Sequence, residues 1–174
     1  MSMARTADGI RPLRRGLACP IPAAMLDIYI DADACPVKEE TFRVALRYGL
    51  QVYLVSNGPL RVPAEGKVQL VVVSDGFDAA DNWIAEHTSP GDIVVTADIQ
   101  LAKRCLDKGS KVIGTNGRPF TQANIGSALA ARALMQDLRD MGVVQGGGPP
   151  MSKQDKSRYL QELDKAVNEA KRGR

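Results

Sequence analysis

Apolar residues in this chain come in short continuous runs, separated by stretches with helical spacing. Leu26 to Ile30 is one such run, closed by an aspartate; "QVYLVS" (51–56) and "VQLVVVS" (68–74) are rich in β-branched residues, and "DIVVT" and "KVIG" repeat the pattern further on. Runs of this length without polar alternation predict strands buried on both faces. Between them lie amphipathic stripes. Val37, Val44, Ala45 and Tyr48 share one face of a helix, with Pro36 suited to its first turn and Gly49 to a left-handed C-terminal cap. In "FDAADNWIAEH" the stripe is Ala80, Trp83, Ile84 and His87, and "DIQLAKRCLDKG", closed by Gly109, is a third helix. "TQANIGSALAARALMQDLRDMG" is a long fourth, started by Thr121 or Asn124 and stopped by Gly142. Alternating strands and helices of this kind predict a three-layer α/β fold, a mostly parallel sheet flanked by helices.

Boundaries follow from where the pattern fails. Residues 1–25 have neither period and several Gly and Pro breakers, which predicts a disordered extension ahead of a domain over 26–144. A Gly/Pro linker fills 145–151, and 152–174 is a basic C-terminal helix and tail. Its narrow stripe of Tyr159, Leu160, Leu163 and Val167 is expected to dock on the domain or on a partner. With 174 residues, 44% of them hydrophobic and 25% charged, the chain has the make-up of one ordinary globular domain. No run approaches the roughly 20 apolar residues that cross a bilayer, and the N-terminus lacks a secretory signal, so a cytoplasmic address and no membrane partner are expected. Three scattered cysteines and a single histidine argue against a disulfide framework or a structural zinc. The net charge of +3 conceals an acidic body: each basic end carries +3, and residues 26–151 carry −3. That distribution suits a site collecting cations with tails that meet phosphates, and equally suits plain solvated termini.

Acid concentrates where strands end. Ligands of open α/β sheets bind beyond the carboxyl ends of the strands, and there the chain has Asp31 and Asp33 after the first strand, Asp75, Asp78 and Asp81 after "VQLVVVS", and Asp98 after "DIVVTA". Like charges brought together need cations or protons. Mg²⁺ or Mn²⁺ suits all-oxygen donors and supports phosphodiester hydrolysis by activating water. The competing explanation is local: Asp33, Asp75 and Asp98 each precede a predicted helix and can cap it, at about 1 kcal/mol per cap. Capping does not account for Asp31 beside Asp33, nor for Asp81 inward of a helix start that already has two acids.

Four ordered stretches, "DADACPVK", "SDGFDAADNWI", "GDIVVTADIQLA" and "TNGRPF", resemble the YaiI/YqxD family of uncharacterised bacterial proteins, from about Leu26 to the C-terminal helix. That family in turn resembles the PIN-like nucleases, which implies a PIN-like α/β domain whose acids bind Mg²⁺ or Mn²⁺ and cut RNA or DNA. On this resemblance Asp31, Asp81 and Asp98 are the catalytic metal ligands, with Asp33, Asp75 and Asp78 as supporting acids. Nucleic acid, RNA foremost, is the implied partner.

Other chemistries compete for the same residues. "DADACPV" also resembles the Asp-x-Asp opening of haloacid dehalogenase-like phosphatases, with Asp31 as nucleophile, Asp33 as acid/base, Ser56 as the phosphate-facing hydroxyl and Asp98 as a metal ligand. It leaves "DGFDAAD" without a role. A nucleophilic Cys35 would want an arginine six residues on, where Thr41 stands, so Cys35 and Cys105 read as apolar fillers. A third possibility is a non-catalytic nucleic-acid-binding protein with the same fold. Lys38, Arg118, Lys153, Lys156 and Arg158 are the candidate phosphate contacts, each of them also explicable as solvated surface. Trp83 reads as core, "NGRPF" as a turn, and with aromatics at 5% no stacking platform for single strands is expected.

Overall fold

The computed structural model describes residues 25–33, 35–74, 76–145 and 149–173. The expected N-terminal extension up to residue 24, Asp75 and the linker glycines lie outside these. The elements run β1 (Asp27–Asp31), α1 (Lys38–Tyr48), β2 (Gln51–Ser56), β3 (Lys67–Val72), α2 (Ala79–His87), β4 (Ile93–Val95), α3 (Ile99–Asp107), β5 (Lys111–Ile113), β6 (Pro119–Phe120), α4 (Ile125–Asp140) and α5 (Lys153–Arg172). The six strands form one sheet in the order β3-β2-β1-β4-β5-β6, parallel except for β6, which pairs antiparallel with β5. The fold is the expected three-layer α/β arrangement.

Successive residues of β1 point to opposite faces, so each face of the sheet receives its own core. Ile28 and Ile30 pack with Val37, Val44, Tyr159, Leu163 and Val167, under α1 and α5. Tyr29 packs on the other side with Ala80, Ile84, Leu101, Ala102 and Cys105, under α2 and α3. β1 and β4 are neighbours although two strands and two helices separate them in sequence. Chain order reverses there, and a crevice opens beyond the strand ends at such a point.

Several local expectations change. β3 is the edge of the sheet and is mostly half-buried, with Val71 the one fully buried position of Lys67–Val72. An apolar run reads the same at an edge and in the centre. β6 contributes two residues, Pro119 and Phe120, to the opposite edge, where a proline without an N–H is tolerated. Helix α2 begins at Ala79 rather than at Phe77, because Asp78 adopts a left-handed conformation, φ 62° and ψ 15°. Gly49 caps α1 at φ 65° as expected.

The terminal helix docks on the domain. Tyr159, Leu163 and Val167 are completely buried, and the Tyr159 hydroxyl lies 2.6 Å from Thr41 Oγ1, whose own proton goes to the Val37 carbonyl. Lys156 pairs with Glu40 at 3.1 Å near one end and Lys111 with Glu169 at 2.7 Å near the other. This direction brings the N-terminus of α5 to the same edge of the sheet as the carboxyl ends of β1 and β4. Ser152 starts the helix with a reciprocal capping box to Asp155.

Candidate acidic site

Thr96, the residue after β4, joins two of the acids. Its hydroxyl donates to Asp31 Oδ2 at 3.1 Å and accepts the Asp98 N–H at 2.9 Å. Asp31 ends the central strand, half-buried, and burial foremost raises its pKa, with the charges of Asp33 and Asp98 adding to the rise and the Thr96 hydroxyl opposing it. Asp81, in the first turn of α2, is pushed up to about 6, by burial first and then by the charges of Asp31, Asp98 and Asp78; Arg104 works the other way. The crevice beyond β1 has a volume of about 190 Å³ and is lined by Asp31, Asp33, Asn57, Phe77, Asp78 and Asp81, among others.

The capping alternative separates the acids. Asp98 is a cap: Oδ1 accepts from Gln100 N at 2.7 Å and Leu101 N at 3.0 Å, while Oδ2 faces Arg132 of α4 at 3.4 Å. Asp33 is not a cap. Its Oδ1 accepts from the Ser56 hydroxyl at 2.9 Å and from Asn57 N at 3.4 Å, and α1 starts at Val37 without a side-chain cap. Asp78 occupies the cap position of α2, yet its carboxylate makes no cap bond. So the structure brings Asp31, Asp33, Asp78 and Asp81 to one crevice, with Asp98 beside it.

The donor chemistry fits a hard divalent ion, since the crevice presents carboxylate oxygens and no thiol or imidazole. Among the described residues, no group of three Asp, Glu, His or Cys is arranged to hold a metal ion. The cap and Arg132 engage Asp98, and Ser56 engages Asp33.

Ser56 is 2% exposed and spends its proton on Asp33 while accepting Gly58 N–H at 3.2 Å. It therefore fixes an acid rather than facing a phosphate. Cys35 and Cys105 are buried, and burial raises their pKa to about 11 and about 12, which leaves no thiolate at neutral pH. Trp83 is half-buried and stacks on His87 at 3.8 Å between ring centroids, and its indole N–H has no hydrogen-bond partner among the described residues. Arg132 and Thr96 were within reach of sequence reasoning only in part: Thr96 stands in the "TAD" stretch, but nothing local ties Arg132 to Asp98, 34 residues away.

The basic candidates are not part of the crevice's lining. Lys38 Nζ donates to the Ala32 carbonyl at 3.2 Å, Lys156 pairs with Glu40, and Arg158 pairs with Asp155 at 3.4 Å. Arg118, in the turn after β5, acts on the same Asp155. Lys153 is the first residue of α5. No described helix is long and apolar enough to cross a membrane.

A family model described as "Uncharacterized BCR, YaiI/YqxD family" matches residues 29–169. Similar proteins include a UPF0178 protein of Rhodospirillum centenum, 66% identical over 86% of this chain and 100% of its own length. Others are from Sphingopyxis alaskensis, 58% identical over 84% and 96%, and Rhodospirillum rubrum, 52% identical over 86% and 100%. No solved structure matches. The motifs around Asp31, Asp81 and Asp98 lie within the matched span, and the chain belongs to the YaiI/YqxD family.

Proposed function

We propose that this protein is a Mg²⁺- or Mn²⁺-dependent hydrolase of nucleic acid, RNA foremost, acting at the acidic crevice beyond β1 in the manner of PIN-like nucleases. The observation that carries the reading is the gathering of Asp31, Asp33, Asp78 and Asp81 in one crevice, where burial first, and then the charges of Asp31, Asp98 and Asp78, lift the Asp81 carboxyl to about 6 against the pull of Arg104. A divalent cation compensates such charge. When bound, such an ion activates water and stabilises charge on a phosphoryl group. Asp31 and Asp81 are the residues to hold it. Thr96 orients Asp31, the N-terminal amides of α3 orient Asp98, and Ser56 orients Asp33. Lys38, Arg118, Lys153, Lys156 and Arg158 position the phosphate backbone without reading sequence.

Purified protein with Mn²⁺ is expected to cut single-stranded RNA, and Asp31→Asn and Asp98→Asn to abolish cutting. Asparagine caps a helix about as well as aspartate, so Asp98→Asn keeps α3 intact, whereas Asp98→Ala loses about 1 kcal/mol of stability as well. Equal cutting by the asparagine variants would assign the activity to a contaminant and sink the reading. Salt-dependent RNA retention without turnover would indicate an adaptor, and phosphate release from small phosphoesters, lost on Asp31→Asn, would indicate the phosphatase.

A further inference from the structure

Phe77 stands 97% exposed on the lip of the acidic crevice. A phenyl ring gains by leaving water, and the turn that denies it cover is well tied. Gly76 N–H donates to the Ser74 carbonyl at 2.7 Å and Ala79 N–H to the Gly76 carbonyl at 3.1 Å. Asp78, next to Phe77, is the one non-glycine residue at positive φ among the described residues. Strain of that kind persists where the surroundings impose it. α2 starts two residues beyond Phe77, and the core beneath, where Ala80 and Ile84 are buried, does not include the ring.

The rest of the lining says what the ring suits. It consists of four carboxylates, Asn57, Gly76 and two alanines. A protein partner wants a contiguous apolar patch, which this crevice lacks. A nucleobase wants one flat apolar face and a polar group for its edge, and any base has a face to stack. Asn57, exposed on the same crevice, provides an amide. Paired bases in a duplex present no free face, so the fitting ligand is single-stranded.

We propose that Phe77 is a stacking platform for an unpaired base of a single-stranded nucleic acid whose backbone enters the crevice, a proposal that rests on the hydrolase reading and names its substrate class. Composition alone predicts no such platform; one ring in this position is enough.

The test uses the full chain in Ca²⁺, with strand integrity checked on a gel. Fluorescence anisotropy compares a labelled oligothymidylate with an abasic deoxyribose-phosphate strand of the same length. Phe77→Ala is expected to weaken the base-bearing strand about tenfold and to leave the abasic strand unchanged. Phe77→Trp is expected to keep the affinity, with its indole emission quenched on binding. Unchanged affinity in Phe77→Ala, equal loss on both strands, or no binding of either strand by the wild-type protein overturns the proposal. Cutting under Mn²⁺ is scored separately. Phe77-dependent binding without cutting removes the hydrolase reading alone, and cutting with affinity indifferent to Phe77 removes the platform alone.

Discussion

Asp81 carries a cost that depends on pH. Its folded-state carboxyl is pushed up to about 6 from the ordinary value of 3.8, so between those values the folded protein holds a proton that the unfolded chain has already released. Stability is therefore fullest below the unfolded pKa and falls as pH rises through the folded one. Asp81→Asn removes the cost. In metal-free buffer the variant is expected to unfold at higher urea than the wild-type protein at about pH 8 and at the same urea at about pH 4. A gain that is equal at both pH values would show that the carboxyl is not strained by its neighbours. Chemistry at this scale was half legible. Asp31 and Asp33 stand out in "YIDADAC", but their different partners, Thr96 and Ser56, come from just after β4 and from β2.

Glycines show how elements constrain one another. A Cβ on Gly117, at φ 78°, would come within 2.7 Å of Tyr159 N and 2.9 Å of its Cα, because the turn after β5 lies directly against α5. Gly126, early in α4, has open space around it. Gly117→Ala is expected to cost about 2 kcal/mol or more, and Gly126→Ala to stabilise by about 0.5 to 1 kcal/mol, both read from urea unfolding. The sign difference would not exist if both were ordinary loop glycines. Elements long enough to show their period were legible: "QVYLVS" coincides with Gln51–Ser56, and the stripe of Tyr159, Leu163 and Val167 is the buried face of α5. What escaped are features set by tertiary partners. The two residues of β6 exist because β5 is there to pair with, and the late start of α2 follows from one left-handed aspartate. The docking of α5 on the domain rather than on a partner was left open by its sequence.

At the scale of the molecule, one layer is completed last. α1 alone does not cover its face of the sheet; Tyr159, Leu163, Ala166, Val167 and Ala170 of α5 supply the remainder of that core. A chain lacking 151–174 is expected to lose near-ultraviolet circular dichroism and to bind a hydrophobic dye while retaining much of its far-ultraviolet signal. Native-like near-ultraviolet circular dichroism in the shortened chain would show that α5 is an appendage. This dependence bears on synthesis. Every strand of the sheet precedes α5 in the chain, yet Ile28 and Ile30 are covered on that side by α1 alone until translation reaches Leu163 and Val167. The nascent protein thus carries its acidic crevice on a sheet with one face half covered until α5 docks.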